Sequence, residues 1–486
     1  MLKALLKYFS LAVLVHLITG VLTKVVELLV LGGALTEAQF GVYQHYLLVV
    51  EMSAGVFIVG MEHALVTFIN RAPENYLRFL AFFVRYGAFA LLLGALAAAF
   101  AYQRYSTATV LALVALGPFI IAELGKLIFR ARLEQAWELS LQGLQSLLWS
   151  LGCALSVWLW AKPQGLENGV AWLPSWLPLA WALAGTVLTA LIVGFVLSRR
   201  LRELTKTAPA KPDFFGTAYQ PFWADYRQLW LGGMAFLLNI QVVKLAVDHT
   251  LGNVALGRYG YVMSVMLFIH KPLALVQRAA LPLFTRLPEE VPAAFRSLVR
   301  INLTVFPLLA VFVLGGYDYL LKIPSLQKWD GTWPYLAIVI SSAPMFSVEY
   351  LVATVAVARG LAANTRRANV TALFVNLPLA WFLVTQYGLM GAASAALAYP
   401  MLFGILMFWF NRRDLPSYVK FAAVAILRAL FWLWAAISLL WWLGEPGKWF
   451  PLAALIYLGG SLLTGLWSPA EIRHAFGYLL GRRDSR

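Results

Sequence analysis

Charge is what this sequence has least of. Asp, Glu, Lys and Arg make up 12% of its 486 residues, while 61% are hydrophobic; a soluble domain carries about twice that charged share. No polar stretch between the apolar runs is long enough to form a domain of its own, which excludes a solvated globular enzyme. Cysteine is almost absent as well. Cys153 stands alone within an apolar run, leaving no partner for an internal disulfide and no thiolate cluster for a metal. The 6 histidines lack metal-ligand spacing, no Gly-rich phosphate loop is present, and no Ser/His/Asp set converges. Neither a cofactor nor a metal nor a catalytic centre is expected. The Asn-x-Thr matches at Asn302 and Asn369 fall in or beside apolar runs and read as accidental.

What the chain does have is apolar runs of about 20 residues from end to end, each sufficient to cross a hydrocarbon core as helix. The fold class expected is an all-α polytopic membrane protein with about fourteen transmembrane helices. The start of the chain lacks a short apolar region followed by a small-residue cleavage site, so it reads as a retained first helix. The last run, near Leu455, is short enough to suit an interfacial segment.

A net charge of +16 could suit nucleic acid, but its placement argues for membrane topology. Basic residues collect in alternate loops: Lys3 and Lys7, Arg71 and Arg78, Arg130 and Arg132, Arg199 to Lys211, Arg286 and Arg296, Arg359 to Arg367, Arg412 to Lys420, and Arg473 to Arg486. This positive-inside pattern puts both termini in the cytoplasm. Lys126 groups with Arg130 and Arg132 as a plain positive-inside residue. The exterior segments "AKPQGLENGVAWLPSWLP" and "KIPSLQKWDGTWP" carry Trp and Pro, as expected of chain lying at an interface. The polar stretch "SRRLRELTKTAPAKPDFFG" is internal and divides the chain. The expected organisation is a bundle over 1–200, a basic linker over 201–228, a second bundle over 229–411, and two further helices with a basic tail over 412–486.

The halves resemble each other weakly. "LTKVVELLVLGGALTEAQFGVY" aligns with "QVVKLAVDHTLGNVALGRYGY": each has a lysine followed by an acid, then a polar turn, then aromatic-Gly at Phe40-Gly41 and Tyr259-Gly260. Internal repeats in a polytopic chain point to a transporter with its site between the repeats. With "ANVTALFVNLPLAWFLV" and "YGLMGAASAALAY" further on, the chain resembles the oligosaccharide flippases of polysaccharide biosynthesis, within the multidrug/oligosaccharidyl-lipid/polysaccharide exporter (MOP) superfamily. The resemblance implies two pseudo-symmetric six-helix bundles in a V around a cavity open alternately to each side. It also implies an undecaprenyl-diphosphate-linked oligosaccharide as substrate, the bacterial inner membrane as location, and contacts with other polysaccharide-assembly proteins and membrane lipids.

Charges within apolar runs are the candidate site. Such residues usually face protein interior or water, because lipid does not solvate them. Lys24 and Glu27 are three apart, Lys244 and Asp248 four apart, so each pair shares a helix face and each acid is expected to hold its lysine. The lysines suit a diphosphate as point charges. His270, Lys271 and Arg278 are further candidates for substrate, and Glu51 joins Glu27 and Asp248 as supporting or coupling residues; the resemblance raises the odds for these outer positions. Glu62, His63, Arg85 and Glu349 have blander readings as caps, snorkelling chains or local pairs. Asn239 and Gln241 suit either a sugar or a join between two helices.

Two rival functions are weighed. A cation antiporter of the same superfamily would need a cavity dominated by acids, which paired lysines oppose. A membrane glycosyltransferase or polymerase would need catalytic groups in a sizeable exterior loop, and none is present.

Overall fold

The computed structural model describes residues 20–59, 61, 64–65, 73–102, 106–131, 135–161, 176–205, 220–286, 289 and 291–466. Among the described residues every regular element is a helix. Helix α1 covers 20–34 and widens to a π-helix over Val26–Leu31. There follow α2 (Glu37–Ile58), α3 (Pro73–Ala101), α4 (Thr107–Ala131), α5 (Gln135–Ala161) and α6 (Trp176–Thr205). The helical stretch Gln220–Arg286 is broken at Gly252 (φ 77°) into α7 (220–251) and α8 (253–286). Then come α9 (Val291–Leu321), α10 (Trp333–Ile340) and α11 (Ala343–Ala358). Ala362–Asn411 is broken at Gly388 (φ 58°) into α12 (362–387) and α13 (389–411), and α14 (Pro416–Leu443) and α15 (Pro446–Leu463) complete the series.

Only glycine takes a positive φ without steric cost, so Gly252 and Gly388 are where one helix becomes two. At Gly388 the chain folds back on itself. A Cβ on Gly391 would lie 1.8 Å from the carbonyl oxygen of Leu383, an approach that eight residues of continuous helix, about 12 Å, cannot make. Seven helical stretches among the described residues are long and apolar enough to cross a membrane. Two of them, Leu229–His270 with 42 residues and Ala362–Asn411 with 50, are about 63 and 75 Å long at 1.5 Å per residue. Each, with its glycine break, has the length for two crossings of a roughly 30 Å core.

By its packing the chain forms two compact units, one of residues 272–364 and 400–486, the other of 2–271 and 365–399. The six-plus-six division drawn from the repeat is a different partition, and returns below as a proposal. In the larger unit, Phe83, Ile120, Leu124, Ile128, Val193 and Phe222 build a core across α3, α4, α6 and α7. A second core joins Val243, Ala246 and Val247 of α7 to Ala380, Val384 and Ala392 of α12 and α13.

In the smaller unit, Trp329 of "KIPSLQKWDGTWP" is fully buried within the short 3-10 turn Pro324–Trp329, and nearby the Tyr317 hydroxyl bonds that of Thr332. Helix α15 packs on α9: Phe450 lies on Gly315, and Tyr457 bonds the Leu303 carbonyl, further along the same helix. Glu349 of α11 is buried, with no hydrogen-bond partner for Oε2 among the described residues. The Glu62 and His63 readings, the interior of the linker (206–219) and the basic tail (467–486) lie outside the described residues.

Candidate functional site

Four helices of the larger unit, α1, α2, α7 and α8, carry the polar residues of the site. Helix α2 is started by Thr36, whose hydroxyl accepts from the Gln39 N–H at 3.3 Å while the Gln39 side chain accepts from the Thr36 N–H at 2.9 Å. This capping box satisfies two of the N–H groups that every helix start leaves bare. It fixes the register that turns Glu37, Gln44, His45 and Glu51 toward neighbouring helices.

Lys24 and Glu27 form the expected ion pair on α1, both buried. Glu27 takes more than its lysine: the Ser264 hydroxyl of α8 donates to it at 2.6 Å and the Gln44 amide of α2 at 3.4 Å. Glu27 is the second residue of the π-helical stretch, a widened turn often found where a helix serves function. Within that turn the Leu28 carbonyl accepts from the Tyr261 hydroxyl at 3.4 Å. Gly32 makes room for the same ring, because a Cβ there would fall 2.6 Å from it.

The second pair does not form. Asp248 is taken by His45 of α2, Nδ1 to Oδ2 at 2.8 Å, and His45 Nε2 meets the Thr109 hydroxyl at 3.1 Å. A partner on an adjacent helix thus displaces the neighbour four residues away. Glu51 accepts from the Gln241 amide at 2.6 Å. Gln241, Lys244 and Asp248 share one face of α7 by their spacing of three and four. The outer two are bonded to α2, so Lys244 is held on the α2 side between the two rungs. It is 8% exposed and makes no hydrogen bond or ion pair with any described residue. Among the described residues, one of the two repeated lysines is paired with an acid and the other is not.

Nearer the helix ends that the charge rule places outside, Arg258 grips Glu37 with two hydrogen bonds, Nε and Nη2 each at 2.9 Å. Here the two repeated turns cross each other. A Cβ on Gly41 would lie 1.9 Å from the Asn253 carbonyl oxygen, one on Gly257 2.0 Å from that of Glu37, and one on Gly260 2.3 Å from the Gln44 side chain. Gly41 therefore meets the Asn253 backbone and Gly257 the Glu37 backbone, while Gly260 of the second motif meets the Gln44 side chain. Helices α2 and α8 touch at this end with no gap between their backbones.

Other sequence readings resolve as follows. Asn239 joins helices: it donates to the Asn369 carbonyl at 3.0 Å and accepts from Asn376 at 3.2 Å. Lys126 is no loop residue; it is 4% exposed and bonded to Glu123 at 2.5 Å and Gln145 at 3.3 Å. The buried Leu127, Ile128 and Phe129 continue the helix past it, so it packs inward. His270 lies half-buried on α8; Lys271 and Arg278 are on the same helix, and their side chains, like that of Arg85, fall outside what the structure describes. Sequence reasoning missed Gln44, His45, Ser264 and Arg258. The adjacent polar pair Gln44-His45 inside an apolar helix was a visible signal; Ser264 offered none.

Glu27 is the hub of this lattice, and its removal is expected to cost stability first. Glu27→Ala leaves Lys24 buried without its counter-charge, at about 3–5 kcal/mol, whereas Glu27→Gln keeps an acceptor for Ser264. Thermal unfolding of the purified protein in detergent should show a large fall for Ala and a smaller one for Gln. An unchanged midpoint for Ala would mean that Glu27 holds nothing.

No family model and no curated protein matches the chain. Among solved structures it is similar to the lipid II flippase MurJ in an inward closed conformation, with TM-score 0.64 and 14% identity over 98% of this chain and 100% of that one. An inward-facing multidrug resistance MATE family transporter of the MOP superfamily matches with TM-score 0.57 and 15% identity, over 85% of this chain and 96% of that one. A MOP superfamily transporter from Pyrococcus furiosus, described by a reverse polarity of its binding pocket, matches with TM-score 0.56 and 14% identity over 84% and 96%. The chain has the fold of these membrane transporters.

Proposed function

We propose that the protein is a transporter, not an enzyme, that moves an undecaprenyl-diphosphate-linked oligosaccharide across the inner membrane by alternating access, for surface polysaccharide assembly. Lys244 is the observation that carries this reading. It is a buried cation with no counter-charge among the described residues, set in a lattice where Glu27, Asp248 and Glu37 are matched to Lys24, His45 and Arg258. A diphosphate must exchange its hydration for cations, and lysine supplies a strongly hydrated point charge on a flexible stem. The match to a lipid flippase along 98% of the chain, against 84–85% for the MATE and MOP transporters, supports a lipid-borne substrate. The two six-helix bundles are taken as the moving parts in a V, with the termini in the cytoplasm. His270, Lys271 and Arg278 extend the anion site along α8.

Glu51 favours a second reading. Its partner, Gln241, is neutral, so this carboxylate is free to attract an organic cation, as in a drug exporter. The two readings separate in a deletion strain. Loss of the flippase should accumulate lipid-linked oligosaccharide on the cytoplasmic leaflet and deplete surface glycan, with sensitivity to cationic dyes unchanged. Dye sensitivity with normal surface glycan would replace the first reading by the second.

A further inference from the structure

The smaller unit holds a pocket of about 390 Å³ lined by Arg300 of α9, Ser417, Lys420, Phe421 and Arg428 of α14, and Gly465 just past α15. No acid lines it. Its origin is a mismatch of lengths. Helix α14 has 28 residues and α15 has 18, about 42 and 27 Å, and the two are joined tightly through Gly444 (φ 70°). They run back along each other, with Gly460 against Trp432 and Gly465 beside Arg428. The opening turns of α14 therefore outrun α15, and α9 closes the far side with Arg300.

Ser417, Lys420, Phe421, Val424 and Arg428 recur at three and four residues, so they form one stripe of α14. The Phe421 ring lies near two guanidinium groups of α9, 5.7 Å from Arg300 and 6.0 Å from Arg296. The stripe starts beside Arg412 and Arg413, at the end the charge rule assigns to the cytoplasm. Arg428 is about 18 Å further along the helix, at a depth where an exposed arginine is costly unless an anion meets it. Next to the cations, α14 shows Val424, Leu427 and Phe431 to the outside, 42%, 66% and 63% exposed. Cations at the rim with apolar surface running inward match the shape of a phospholipid: an anionic headgroup above, acyl chains below.

We propose that this pocket binds an anionic phospholipid of the cytoplasmic leaflet through its phosphate, apart from the transport site on α1, α2, α7 and α8. The lipid phosphate lies among Arg300, Lys420 and Arg428, with the Ser417 hydroxyl as a further donor, and one acyl chain follows Val424 and Leu427. The pocket gives a bilayer lipid a fixed place against α9 and α14.

The test uses the full chain purified in detergent, with bound lipid counted by native mass spectrometry as phosphatidylglycerol or phosphatidylcholine is titrated. The wild type should retain one phosphatidylglycerol in preference to phosphatidylcholine. Lys420→Gln with Arg428→Gln should weaken that binding about thirtyfold, at roughly fivefold per basic residue near a membrane surface. Both side chains are exposed, so the fold should survive, and thermal unfolding checks it. Val424→Trp, which fills the pocket and keeps every charge, should also displace the lipid. Equal retention of phosphatidylglycerol by wild type and both variants would overturn the proposal. Displacement of the lipid by millimolar inorganic phosphate alone would overturn its lipid character and leave a site for a free anion.

Discussion

Lys244→Ala is expected to lower transport by about ten- to a hundredfold while membrane abundance stays near wild type. The magnitude follows from losing one charge-assisted interaction with a phosphate, about 1.5–3 kcal/mol, at 1.4 kcal/mol per factor of ten. Abundance should hold because Lys244 bonds to no described residue, so its removal orphans no buried partner. Lys24→Ala is a different experiment, since it frees Glu27 as a buried carboxylate and mixes stability into the readout. Lys244→Arg should recover only part of the activity, because a planar fork does not reproduce a point charge. Surface glycan in a complemented deletion strain, with the protein quantified in membranes, measures both terms. Full export by Lys244→Ala would end the anion-site reading, and loss of export by Glu51→Gln in its place would point to the cation exporter.

Gly41→Ala and Gly257→Ala are expected to open the closed end between α2 and α8. Each new Cβ would meet a backbone oxygen, at 1.9 and 2.0 Å, and backbone cannot turn aside as a side chain can. The helices must part, at a cost of about 1–3 kcal/mol for overpacking, which biases the equilibrium about 5- to 150-fold against this closed state. The Glu37–Arg258 pair contributes less, about 0–1 kcal/mol, since the arginine side chain is 39% exposed and water screens it. In a Cys153→Ser background, Leu48→Cys is buried on α2 between the His45 and Glu51 rungs. It should react with a membrane-impermeant maleimide from outside only when a glycine has been replaced. Equal labelling with and without Gly41→Ala would show that the glycine crossing closes nothing.

Much of this protein was readable before any coordinates. The helical class and the series of membrane-length runs follow from composition and spacing alone, and Lys24, Glu27, Lys244, Asp248 and Glu51 stand out in the sequence as charges within apolar runs. Lipid does not solvate charge, so each charged residue in an apolar run advertises itself. The repeat of aromatic-Gly after a polar turn was legible too. Its consequence was not, because nothing along the chain says that Phe40-Gly41 and the stretch from Asn253 to Gly260 lie against each other.

Partnership is what only the tertiary structure decided. A shared helix face brings Lys244 and Asp248 within reach of each other, but reach is local, and the choice among partners depends on what the neighbouring helix offers. His45 sits on α2 at the height of Asp248, so the acid turns to it and the lysine is left without a counter-charge among the described residues. On α1 Glu27 keeps Lys24 while also accepting from Ser264 and Gln44, so the same spacing yields a pair. Burial behaves alike: Lys126 resembles any positive-inside residue in the sequence, and the packing of α4 on its neighbours places it inside. The sequence determines which residues are too polar for lipid; which of them remain available to a ligand is settled by the helices packed across from them.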